Sequence, residues 1–220
     1  MFESKRRSIN FTQYEHMRLA GTLAQHWGNR SFARPDLPSA SFNAGVALHD
    51  LGFGTFDDFI IGAMSATQRA YSLERLMNTE LSDRIAETVV KHHALRLMDE
   101  VEHADLKAEC REHIGHLVLN TGISETRYLR ADAVTAFCDG VAFHFCFEKP
   151  FIGTVDVHPD IENEQRCPVK IEMDGRGHVQ VSPWPFDCPS LNGYLLAFER
   201  NVYPTKLRAI QVPWEVSPGR

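Results

Sequence analysis

Residues 168–186, PVKIEMDGRGHVQVSPWPF, are where the pattern of the chain changes. Apolar and polar residues alternate over Val169–Met173 and again over His178–Ser182, the period of two that a half-buried strand imposes. Between the runs, Asp174-Gly175-Arg176-Gly177 supplies the residue types a tight reversal needs, so the segment predicts a β-hairpin. YLLAFERNVY, from Tyr194, predicts a third strand. The tail over 151–220 therefore reads as a small antiparallel β-rich unit. At about 70 residues its own core is thin, so it should pack against the rest of the chain.

Upstream the period is helical. Thr12, His16, Leu19, Leu23 and Trp27 recur at helix spacing, and Gly28 stands where a helix would stop. After a loop with Pro35 and Pro38, a helix is expected over about 40–51, ending at Gly52. Further helices are expected over about 65–79, from Ser82 as N-cap to Met98, over 104–120 and closed near Gly122, and from Ser124 to the neighbourhood of Pro150. The expected fold is mainly α: a helical bundle over 1–150 with the β-rich unit of 151–220 packed on it.

Composition narrows the function. A net charge of −6 gives no basic face for a phosphate backbone, so nucleic acid is not an expected partner. The one basic run, Lys5-Arg6-Arg7, reads as a solvated leader. Five cysteines without a Cys-x-x-Cys pair fit free thiols in a reducing compartment. No apolar run approaches the ~18 residues of a membrane span. A cytoplasmic protein acting on a small molecule is expected, with its oligomeric state open. Histidine, with 11 copies, is over-represented.

The histidines and acids that break apolar stripes carry the chemistry. In ALHDLGF, residues 47–53, His49 and Asp50 lean inward from a helix whose flanks are apolar. A buried carboxylate without a partner costs several kcal/mol. His16 interrupts the stripe between Thr12 and Leu19. His93 interrupts Ala86, Val89, Val90 and Leu97, with His92 on the neighbouring face as a reserve. Asp139 stands inside the apolar run AVTAFCDGVAFHFCF. A divalent transition metal (Mn, Fe, Co, Ni or Zn) bound by His16, His49, Asp50, Asp139 and His93 or His92 would resolve every one of these buried groups together. The competing reading makes His49 a satisfied core histidine, with Asp50 bridging to Arg34 or Arg130.

An isolated His16, the His49-Asp50 pair and a late Asp139 resemble the HD superfamily of metal-dependent phosphohydrolases over about residues 10–147. LAQHWGNRSFARP, ALHDLGFGTFD, FCDGVAFHFC and VSPWPF resemble, more narrowly, an uncharacterised bacterial HD-like family with a short β-rich tail. The resemblance implies a helical metal-binding domain with His16, His49, Asp50 and Asp139 as ligands and a metal-activated water as nucleophile. The acid that some of these enzymes carry one turn after the pair has no counterpart at Gly52, Phe53 or Gly54. Asp57 or Asp58 is a substitute only if the loop folds back, and Asp139 or Asp57 would handle protons. The expected activity is hydrolysis of a phosphoester or related small metabolite. The alternatives are a two-iron oxygenase of the same fold, which needs His93 and a further histidine, and a non-catalytic metal sensor.

Overall fold

The computed structural model describes residues 1–160 and 165–219. Two short strands, β1 (Phe2–Glu3) and β2 (Ile9–Phe11), precede α1 (Gln13–His26), α2 (Ser39–Ala47) and two short 3₁₀ segments, Leu51–Phe56 and Ile61–Ala63. Next come α3 (Ala66–Met77), α4 (Arg84–Leu97), α5 (Ala104–Thr121) and α6 (Glu125–Cys146). The strands β3 (Phe151–Val157), β4 (Cys167–Met173), β5 (His178–Ser182), β6 (Leu191–Glu199) and β7 (Ala209–Pro218) complete the chain. They form one mixed sheet with β1 and β2, in the order β1-β2-β6-β7-β5-β4-β3. Every pairing is antiparallel except that of β5 with β7.

The fold is thus α/β, and the mainly α, all-helical expectation is corrected: the seven-stranded sheet is too large to be an appendage. The expected hairpin is β4–β5, paired Lys170 with Ser182 through Met173 with Val179. The rest of the sheet was hidden for local reasons. β1 and β2 are too short to show a period, and Pro213 inside β7 argues against a central strand, although β7 sits between β6 and β5.

The sheet buries one face. Val169 and Ile171 of β4, Val179 and Val181 of β5, and Val212, Trp214 and Val216 of β7 alternate with exposed neighbours. Their inner face shares one core with Leu19 and Leu23 of α1 and Phe137 and Val141 of α6. Trp27 is the weld at the end of α1: its ring lies 5.3 Å from that of Phe137 and 6.0 Å from that of Phe186, which it also meets across an isolated bridge. Gly28 then adopts φ 112°, a backbone that side-chain-bearing residues rarely take.

The basic run is no free leader. The Arg7 Nε donates to the buried Glu148 carboxylate at 2.9 Å, Arg6 Nη2 at 3.2 Å and Ser4 Oγ at 2.6 Å. Arg200 Nη2 donates to the carbonyls of Ser4 at 2.6 Å and Arg7 at 3.1 Å, which fixes the β1–β2 turn. At the start of α4 the cap is Asp83, not Ser82: its carboxylate accepts from the amides of Ile85 at 2.9 Å and Ala86 at 3.1 Å.

Close approach of backbones sets the helices around the site. A Cβ on Gly21 of α1 would lie 2.8 Å from Cβ of Ala47, and one on Gly45 of α2 would lie 2.6 Å from Cβ of Val89 on α4. Both contacts work only because hydrogen stands where a methyl would be. Gly45→Ala should therefore destabilise the protein by about 1–3 kcal/mol through overpacking. It should also push the segment carrying His49 away from α4. Chemical denaturation checks the first and NMR shifts of the His49 ring the second; a fully stable variant would show that α2 and α4 are not packed this tightly.

Candidate metal centre

Four elements deliver the polar side chains. His16 comes from the middle of α1, His93 from the last turns of α4 and Asp139 from α6. His49 and Asp50 lie beyond the end of α2, in the turn between Ala47 and the 3₁₀ segment at Leu51, and not on the expected longer helix. His16, His49 and His93 are completely buried, Asp50 is 6% exposed, and the Asp139 side chain is 14% exposed.

Their donor atoms converge. His16 Nε2 is 3.0 Å from His49 Nε2, 3.4 Å from Asp139 Oδ1 and 3.5 Å from Asp50 Oδ2. His49 Nε2 is 3.5 Å from Asp139 Oδ1 and 3.9 Å from Asp50 Oδ2. Ligand atoms bound at about 2.1 Å stand roughly 3.0 Å apart at right angles and roughly 3.4 Å apart at tetrahedral angles. Most of the spacings are therefore those of a coordination shell. The tautomer of His49 agrees: its Nδ1–H donates to the Val46 carbonyl at 2.7 Å, which leaves the Nε2 lone pair facing the cluster. Two triads of buried or nearly buried groups, His16 with His49 and Asp139 and His49 with Asp50 and His93, each bring their donor atoms within 4.8 Å of one another and could hold a metal ion.

His93 plays a different part. Its Nδ1 accepts from Arg96 Nη2 at 2.8 Å, so in the neutral ring Nε2 carries the hydrogen and donates to Asp50 Oδ1 at 2.9 Å. Burial keeps this imidazole below its ordinary pKa, consistent with a neutral ring. His93 thus orients Asp50, while Arg96 is itself held by Asp132 at 3.1 Å and reaches within 3.5 Å of Asp139 Oδ2. Gln13 Nε2 donates to Asp50 Oδ2, and its buried Oε1 has no hydrogen-bond partner among the described residues.

The remaining candidates lie elsewhere. His92 stacks on Tyr128, 5.7 Å between ring centres, on the side of α4 away from Asp50. Asp57 Oδ1 accepts from the Gln13 amide at 2.7 Å and lies 3.1 Å from the α-amino group of Met1, so it caps α1. Neither Arg34, paired with Asp187 at 2.8 Å, nor Arg130 bridges to Asp50; Gln13 and His93 do. Gln13 and Arg96 were not anticipated from sequence. Each sits three residues from a site histidine on the same helix, and that i,i+3 spacing was the available signal.

Asp50, His93 and Asp139 line a cavity of about 390 Å³ whose walls also include Phe53, Met64, Arg69, Arg96 and Phe143; His16 and His49 lie behind them. The charges are tightly linked. Burial alone would lower the His16 pKa, but the carboxylates of Asp139 and Asp50 outweigh it and hold it well above the ordinary histidine value. Burial alone would raise Asp50, yet His49, His16 and His93 keep it ionised far below the usual carboxylate range. Asp139 is likewise held low, by His16 and His49 against its own burial. The proton on His16 therefore sits where a cation is wanted.

Metal uptake must displace that proton. Since the folded-state pKa is raised, the proton persists above the ordinary value of about 6.5, and affinity keeps climbing beyond it. Apparent affinity for Mn²⁺ or Zn²⁺ should therefore go on rising with pH above about 6.5, where an ordinary histidine would already be levelling off. Titration at several pH values checks this; a plateau from about pH 7 upward would contradict it.

The family described as protein of unknown function, DUF3891, matches residues 1–194. The chain belongs to this family. No curated protein matches the chain, and no solved structure does. The resemblance to the HD superfamily is accordingly withdrawn: the family that matches is DUF3891, and the large curled sheet is foreign to a purely helical bundle. The convergence of His16, His49, Asp50 and Asp139 stands on its own geometry. Among the described residues no helix is long and apolar enough to cross a membrane, and none of the five cysteines is in a disulfide.

Proposed function

We propose that this DUF3891 protein is a metal-dependent hydrolase of a phosphoester or related small anionic metabolite, with one divalent transition metal held by His16, His49, Asp50 and Asp139. The observation that carries the reading is the meeting of two imidazole nitrogens and two carboxylate oxygens, 3.0–3.9 Å apart, with the two aspartates lining a cavity. A mixed nitrogen and oxygen set suits Mn, Fe, Co, Ni or Zn better than Ca. When bound, such an ion supplies a Lewis acid and lowers the pKa of water toward neutrality.

The protein's own groups do the rest. His93 fixes Asp50, so that one carboxylate oxygen stays turned toward His16. Asp139, ionised and partly open to the cavity, would accept a hydrogen bond from an attacking water and orient it. Arg96, 3.5 Å from Asp139, offers a guanidinium to the negative charge that develops on the reacting group. Its bond to His93 Nδ1 also supports one ion rather than two. A second ion on His93 Nε2 would need the hydrogen that now binds Asp50 to leave, with Arg96 still donating to the other nitrogen.

Elemental analysis of the purified chain, followed by a phosphoester panel with the metal found, tests the proposal. One equivalent of transition metal and turnover of at least one ester are expected. A metal-loaded protein inert toward the whole panel would count against hydrolysis. Two irons per chain with an oxygen-dependent spectrum would replace it by the oxygenase reading.

A further inference from the structure

We propose that Arg69 is the specificity anchor of the cavity above the cluster, and that the cavity takes a small amphipathic oxyanion: a carboxylate or phosphate attached to an aromatic or short aliphatic body. The inference rests on the hydrolase reading for its charge balance. In that reading the ion matches Asp50 and Asp139, and Asp132 matches Arg96, which is also tied to His93. Arg69 is the remaining arginine lining the cavity, and no side-chain partner engages it among the described residues.

Its placement on α3 is directed. Arg69 lies one turn before Ser72 and Leu73, the first residues of the buried face of that helix, and it lines the cavity while staying exposed to solvent, as an anchor at the entrance must. Opposite it the walls are apolar: Phe53, Met64, Leu73, Leu97, Phe143 and Phe147. A free inorganic anion would leave those walls wet. An apolar molecule without charge would bury an unpaired guanidinium, which is costly. A ligand with a charged end and an apolar body satisfies both surfaces, and about 390 Å³ is room for a small metabolite.

Calorimetric titration of the purified full chain with phenylphosphonate, benzoate and neutral benzamide, none of which contains a scissile ester, tests the anchor directly. At least one of the two oxyanions should bind at least about tenfold more tightly than benzamide. Whichever of phenylphosphonate and benzoate binds better names the natural charged group. Arg69→Gln should weaken that binding by about tenfold or more without changing metal content, and Arg69→Lys should restore most of it. Equal binding to Arg69→Gln, equal binding of benzamide, or no binding of any probe into the millimolar range would overturn the inference. The two readings fail separately. A phosphoesterase whose turnover and probe binding ignore Arg69→Gln loses the anchor and keeps the reaction. A protein without bound metal that still binds benzoate through Arg69 loses the reaction and keeps the anchor.

Discussion

Asp50→Asn should give a folded protein that holds less than about a tenth of the wild-type metal and loses phosphoester turnover by a factor of about 10³ or more. Asp50 is the residue on which most of the cluster depends. One oxygen faces His16 and takes the Gln13 amide, and the other accepts from His93. Losing its charge leaves two buried imidazoles and an ion balanced by Asp139 alone, so the ion should leave. Asparagine keeps the shape and an acceptor oxygen, which separates loss of charge from loss of fold. Asp50→Ala, in contrast, strands the Gln13 and His93 donors and should unfold more easily by about 1–3 kcal/mol for each. Metal analysis with circular dichroism on both variants decides the matter. Wild-type metal content in Asp50→Asn would remove Asp50 from the coordination shell, and the proposed reaction with it.

What the sequence made legible follows from the cost of burying charge. His16 inside an apolar stripe, Asp139 inside an apolar run and the adjacent His49 and Asp50 are contradictions unless something resolves them, and the four do meet. Facing arguments also separated His93, which bonds Asp50, from His92, which stacks on Tyr128. Periodicity could not show that α2 ends at Ala47, because the turn and the 3₁₀ segment after it keep a helix-like spacing. Nor could it show the sheet. The pairing of β2 with β6 joins Ile9 to Glu199, and β7 pairs parallel to β5; contacts that distant in sequence leave no local pattern. Arg6 and Arg7 looked like solvent-facing charge because their partner, Glu148, lies at the far end of the helical region.

That non-local closure leads to the largest stability effect expected, from Phe2→Ala. Phe2 belongs to a strand of only two residues, yet it is completely buried. Its ring lies 4.9 Å from that of His16, 5.6 Å from Phe143 and 5.3 Å from Phe147. It is therefore both a keystone between β1 and α6 and the lid over the back of His16. Truncation to alanine removes a packed aromatic ring at a cost of about 3–5 kcal/mol. For a chain of this size that lowers the melting temperature by roughly 6–20 °C. The space opens beside His16, so water should enter and weaken the hold of the two carboxylates on its proton, bringing its pKa back toward about 6.5. Phe2→Leu should recover much of the stability, because it refills most of the volume. Thermal melts of the three proteins, with NMR titration of the His16 ring in the metal-free state, measure both consequences. If Phe2→Ala melts with the wild type, the first strand is not part of the core, and the sheet does not close over the site.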